Sequence, residues 1–126
     1  MPVRAHDTDA GLDLLSPMET VIPAHGAVTV DTGVHIELPP NTAGFLKSKS
    51  GLNVKYGITS EGVIDVGYTG SIAVKLYNHS GMDYIVHRVD KFSQLVVVNI
   101  DTPELVLVDK LADTERGNGG FGSTGR

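Results

Sequence analysis

The chain has no cysteine among its 126 residues, which removes disulfides, a thiolate nucleophile and any sulfur-ligated metal site from consideration. It also lacks a long apolar run, and its longest stretches fall far short of the ~20 residues that span a bilayer. No segment resembles a signal peptide, so a cytoplasmic protein without a membrane partner is the default expectation. Basic residues are in the minority, 10 Lys and Arg against 15 Asp and Glu, for a net charge of −5. That balance argues against a nucleic-acid polymer as partner, while a local basic site can still hold a small anion. The five histidines (His6, His25, His35, His79, His87) show no HExxH or other tight ligand spacing, and no GxSxG occurs. Neither a zinc site nor a serine triad is therefore assigned.

What the chain does contain is β-branched alternation. It predicts short strands over Thr20 to Pro23, Ala27 to Thr32, Val34 to Leu38, Gly44 to Ser48, Ser71 to Asn78, Asp83 to Val86 and Gln94 to Asp101. Turn signals at Pro23 to Gly26, Pro39 to Thr42, Gly67 to Gly70 and Asn78 to Gly81 separate them, at the spacing of a sandwich or barrel. One short helical turn is expected from Ser50 to about Lys55. With no composition shift, residues 1–115 read as a single all-β domain, a small jelly-roll-like barrel.

Residues 116–126 (RGNGGFGSTGR) read as a separate arm, with five glycines in eleven residues. Such a segment builds no core. It is either a disordered terminus or a flexible lid whose free N–H groups, with Arg116, suit a polyphosphate. It matches GxGxxG formally and approaches the P-loop pattern, yet both motifs need a preceding strand and a following helix. Among the carboxylates, Asp9, Asp13 and Asp65 stand out in DAGLDL and GVIDVGYTG, where small residues surround them. Each is a candidate for acid–base work or, equally, for capping a turn.

Five segments then occur in order: DTDAGLDL (Asp7 to Leu14), KSKSGL (Lys47 to Leu52), EGVIDVGYTG (Glu61 to Gly70), VDKFSQL (Val89 to Leu95) and RGNGGFGSTG (Arg116 to Gly125). Together they cover the chain nearly end to end and resemble the five ordered motifs of the trimeric dUTPases, which adopt the β-clip fold. The resemblance implies Mg²⁺-assisted hydrolysis of dUTP to dUMP and pyrophosphate, limiting uracil in DNA and supplying dUMP, at three sites formed between the chains of a homotrimer. In that pattern Asp65 orients and deprotonates the water that attacks the α-phosphorus, and Tyr68 packs on the deoxyribose and rejects a 2′-hydroxyl. Backbone groups from Thr59 to Ile64, including Gly62 and Val63, read uracil. Lys49, Ser50, Gly51 and Gln94 match phosphate-contacting positions. Arg116, Gly122, Ser123 and Thr124 match the closing arm, with Phe121 stacking on the base, and Asp13 matches a residue that holds Mg²⁺ through water.

This chain departs from the family pattern at several points. Ser48 and Lys49 stand where proline and arginine are usual, so a bidentate fork becomes a point charge and a weaker phosphate grip is expected. Lys91 replaces a frequent arginine, Ser93 a usual alanine and Gly67 a frequent aspartate. Family members usually carry a further strand before the first motif, so a weaker sheet edge is expected. A dCTP deaminase of the same fold is disfavoured because Lys75 stands where that family has a catalytic glutamate. A nucleotide-responsive regulatory protein, with a protein partner, is the remaining alternative.

Overall fold

The structure is a computed structural model and describes residues 1–125. Among them the alternating segments form eight strands and one helix: β1 (Gly11–Leu15), β2 (Thr20–Ile22), β3 (Ala27–Asp31), β4 (Thr42–Lys47), α1 (Ser50–Tyr56), β5 (Ile58–Ile64), β6 (Ala73–Asn78), β7 (Tyr84–Val86) and β8 (Lys91–Asn99). Six strands make one curled antiparallel sheet in the order β1-β8-β4-β5-β6-β3, and β2 pairs with β7 in a second, two-stranded sheet. Strands distant in sequence are therefore neighbours, with Asp13 facing Gln94 and Leu14 facing Ser93 across β1 and β8.

Period-two patterning decides which face is inside. On β6, Val74, Leu76 and Asn78 are buried while Ala73, Lys75 and Tyr77 face out. The inward residues join Phe92, Leu95, Leu46 and Ile64 in one apolar cluster. Asn78, buried among them, is satisfied: its amide donates to the Ile22 carbonyl at 3.0 Å and the Met82 carbonyl at 2.7 Å, which ties β2 to the main sheet.

Most expected strands are present, with ends shifted by one to three residues. Val34 to Leu38 is extended and alternately buried but forms no strand. Among the described residues its one backbone hydrogen bond to the segment beside it is the Ile72 N–H donating to the Val34 carbonyl at 2.9 Å, and Pro39 and Pro40 follow it. Two strands, β1 and β5, are not marked by apolar alternation: β1 (GLDLL) buries the consecutive Asp13 and Leu14, and β5 (ITSEGVI) has a polar and glycine centre. Ahead of β1, Val3 exchanges backbone hydrogen bonds with Asp13 at 3.0 and 2.7 Å, covering part of that strand's outer edge. No helix among the described residues is long and apolar enough to cross a membrane. Arg126 lies outside the described residues.

Candidate active site

The expected site residues fall into three groups. In the first, β5 leaves one edge open. Glu61 to Ile64 pair with β4, whereas β6 pairs with Ile58 to Ser60 alone. Beyond Ser60 the two strands diverge around a cavity of about 250 Å³ lined by Gly62, Val63, Ile64, Asp65, Tyr68 and Ile72, among others. One wall of this cleft is thus a strand edge whose backbone donors and acceptors are not used by the sheet. Past it the chain reverses in a turn in which the Tyr68 N–H donates to the Asp65 carbonyl at 3.1 Å, with Gly67 at φ 89°. That is the left-handed third position of a type II turn, which accounts for glycine there in place of aspartate. The exposed side chains of Asp65 and Tyr68 stand at the rim.

The second group surrounds the start of α1. Asp13 on β1 is buried, and both of its oxygens are engaged, one by the Lys49 ammonium and the other by Lys91 at 3.0 Å. Burial pushes its carboxyl up, but hydrogen bonds and charge from Lys49 and Lys91 outweigh this and hold it below the usual aspartate value. Gln94 donates to the Ser48 carbonyl at 3.0 Å. Its side chain lies across Gly11, where a Cβ would come within 2.2 Å of the Gln94 Oε1. A second cavity, about 730 Å³, opens between Ser50, Thr59 and Gln94. Thr59 belongs here and not to the first cleft, because it pairs with Tyr77 of β6. Gly51 is exposed on α1 and has no neighbour where its Cβ would be.

The third group is the tail. Residues 101–118 are exposed throughout, and the turns that follow bond within themselves. Gly119 donates to the Arg116 carbonyl at 2.8 Å, Ser123 to Gly120 and Gly125 to Gly122, both at 3.1 Å. Arg116 folds back on the Gly119 carbonyl at 2.8 Å, and Phe121 is fully exposed. Gly122 has φ 74°, and Ser123 and Thr124 lie in the same exposed turns. Of the three notable aspartates, Asp9 takes the structural role: its side chain accepts the His6 N–H at 3.0 Å and closes a turn.

Comparison with known proteins decides among the readings of this arrangement. A dUTPase family model matches residues 1–125. The deoxyuridine 5′-triphosphate nucleotidohydrolases of Paramecium bursaria Chlorella virus 1 and Solanum lycopersicum are 44% and 46% identical, covering 98% and 99% of this chain and 89% and 75% of their own lengths. The chain belongs to the dUTPase family. The dUTPase of Staphylococcus bacteriophage 80alpha, solved with dUpNHpp, superposes with a TM-score of 0.92 at 30% identity, over 100% of this chain and 92% of the phage protein.

Seen as a dUTPase, four of the chain's departures from the family pattern meet in pairs. Lys49 and Lys91 converge on Asp13. Ser48 and Ser93 converge on Ser60: the Ser60 N–H donates to the Ser48 hydroxyl at 2.9 Å, and the Ser60 and Ser93 hydroxyls lie 2.8 Å apart in the interior. Sequence reasoning treated these positions one at a time; nothing in it linked Lys91 to Asp13 or brought in Ser60. The dUTPase family uses Mg²⁺, and one relative, from phage phi11 of S. aureus, was solved for the coordination of a structural Mg(II) ion. Among the described residues no three His, Asp or Glu converge as a cage. Asp13 gives one lone pair of each oxygen to a lysine and keeps others as acceptors for the waters of a metal, with the two ammonium groups offsetting its charge.

Proposed function

We propose the following roles in the hydrolysis of dUTP to dUMP and pyrophosphate, the reaction of this family. Uracil enters the cleft between β5 and β6, where the unpaired backbone of Gly62, Val63 and Ile64 offers the donor and acceptor pattern of a pairing base. A cytosine amino group meets backbone donors there, and unmatched polar groups discriminate more strongly than lost apolar contact. Tyr68 lies against the deoxyribose. Asp65 accepts the proton of the attacking water as its oxygen bonds to the α-phosphorus; the bond to the bridging oxygen breaks and pyrophosphate leaves. A base so placed typically contributes ~10²–10⁴-fold.

Lys49, Ser50, Gly51 and Gln94 hold the phosphates. Arg116, Gly122, Ser123 and Thr124 close over them, with Phe121 on the base, excluding water from the closed site. Bound Mg²⁺ neutralises triphosphate charge and favours in-line displacement, and Asp13 is the residue that would hold it, through water. The observation that carries these roles is the open edge of β5 beside Asp65 and Tyr68.

Each site is built from more than one copy in a homotrimer. Two observations support this. Thr59, beside Ser50 and Gln94, is six residues from Asp65 along the chain, roughly 20 Å in an extended strand. The exposed tail also carries Leu105, Val106, Leu107, Val108 and Leu111, each worth about 1.5–3 kcal/mol once buried, so a partner subunit is their natural cover.

The test is complementation. Asp65→Asn should bind nucleotide but lose turnover by about 10²-fold or more, and a chain lacking Gly117 to Arg126 should be similarly inactive. Co-expressed, the two should recover pyrophosphate release from dUTP, because an intact Asp65 and an intact tail meet at some sites. No recovery would overturn the shared site, and unchanged turnover in Asp65→Asn alone would overturn its role as base.

A further inference from the structure

Asp65 and Tyr68 occupy an exposed turn, and Tyr68 is 49% exposed. Packing alone therefore does not fix the ring. Its hydroxyl donates to the Ser71 carbonyl at 2.9 Å. The hydroxyl end of the ring lies against Gly70, where a Cβ would come within 2.6 Å of the phenol oxygen and 2.7 Å of the ring carbon bearing it. Ser71 is held in turn, its own hydroxyl donating to Asp31 Oδ1 at the end of β3. Asp31 Oδ1 also accepts the Gly33 N–H at 3.1 Å. A parallel strut comes from His35, whose Nδ1 donates to the Thr69 carbonyl at 2.8 Å. The turn bearing both reacting-site side chains is thus fastened to the body by a short series of hydrogen bonds that end on residues 31–35.

We propose that Ser71 and Asp31 are positioning residues that set the sugar specificity of this enzyme by holding Tyr68 in place. This rests on the reading that Tyr68 faces the deoxyribose. A ring rejects a 2′-hydroxyl only if it cannot retreat from it. Here what prevents retreat is the hydrogen bond from the phenol to the Ser71 backbone carbonyl, with Ser71 itself held by its hydroxyl on Asp31, because a half-exposed ring is not confined by packing alone. Neither tether residue lies within the five family segments; Asp31 is exposed, Ser71 is half-buried, and neither belongs to the apolar cluster, so changing them leaves the core untouched. The carboxyl of Asp31 is held below the usual aspartate value by the Ser71 hydroxyl and the Gly33 N–H. Above that range it is a charged acceptor, which makes the last link of the tether stronger than a neutral hydrogen bond.

The experiment compares kcat/KM for dUTP with kcat/KM for UTP, by pyrophosphate release from the full-length protein. Ser71→Ala and Asp31→Ala should each lower the dUTP preference about three- to tenfold, the equivalent of one lost hydrogen bond. The change should come mainly from better use of UTP, with kcat on dUTP nearly constant. Ser71→Thr and Asp31→Asn, which keep a donor and an acceptor, should restore most of the preference. Tyr68→Phe, which keeps the ring but cuts the tether, should reproduce the loss. An unchanged preference in both alanine variants, or equal losses on both substrates, would overturn the proposal. Tyr68→Ala separates the two levels: if it leaves the preference unchanged, Tyr68 does not read the sugar and the underlying assignment fails with the tether.

Discussion

Two parts of the site are held by different forces, and the contrast shows which part exists before nucleotide arrives. Around Asp13 everything is crowded: a buried carboxylate with a lysine on each oxygen, Gln94 laid across Gly11, and Ser60 bonded through its backbone to the Ser48 hydroxyl and through its own hydroxyl to Ser93. In residues 116–125 nothing is crowded, and the chain bonds to itself in successive turns. The first region is bound into the fold, so its geometry is set by the same energy that stabilises the protein. The second has little holding it in any one place, so its order must come from a ligand or a neighbouring subunit. The Asp65 turn lies between these extremes, exposed yet tethered.

Removal of Gly117 to Arg126 tests the contrast most sharply. Pyrophosphate release should fall by about 10²-fold or more, as expected when a closing element is lost, while the melting temperature stays within a degree or so of the full chain. A comparable drop in both would mean the tail is part of the fold.

Asp13→Asn should do the opposite and cost stability first. The expected loss is about 2 kcal/mol in chemical denaturation, less than for a fully buried pair because both lysines reach solvent. Its pH dependence has a definite sign. The folded-state carboxyl titrates below its ordinary value of 3.8, so its contribution is complete above that value and fades as pH falls further toward the folded-state value. The asparagine variant should lack that acid-side component, and denaturation midpoints between pH 3 and pH 5 would check it.

The smallest effect concerns Val89, which sits between these groups in sequence and adopts φ 66° while its N–H bonds the Ser16 carbonyl at 2.8 Å. A β-branched residue is strained in that region. Val89→Gly should raise stability by about 1 kcal/mol, net of the extra freedom glycine gives the unfolded chain. A thermal scan showing no gain would mean the turn has already relaxed around the valine.

Much of this was legible from residue order because it depends on local chemistry. Period-two patterning marked β2, β3, β4, β6, β7 and β8, and the short helix after Lys49 was placed within one residue of its end. Where polar residues and glycine broke the apolar alternation, with Asp13 in β1 and Thr59 to Gly62 in β5, strands went unmarked, since the pattern reads a buried face from apolar side chains alone. Val34 to Leu38 failed for the converse reason. It has the side-chain pattern of a strand, and whether an extended segment becomes one depends on a neighbour presenting a free edge.

The same division runs through the site. Residue order determined the composition of the chemistry: Asp65 and Tyr68 in a glycine-bearing turn, a basic and hydroxyl-rich segment before α1, and a tail too rich in glycine to fold by itself. Tertiary structure decided what no linear pattern contains. It set the divergence of β5 from β6 that opens a backbone-lined cleft, and the meeting of Lys49 and Lys91 on Asp13 from positions 36 and 78 residues away. Those are consequences of antiparallel pairing between distant strands, and pairing energy belongs to two segments at once, so neither segment alone can specify it.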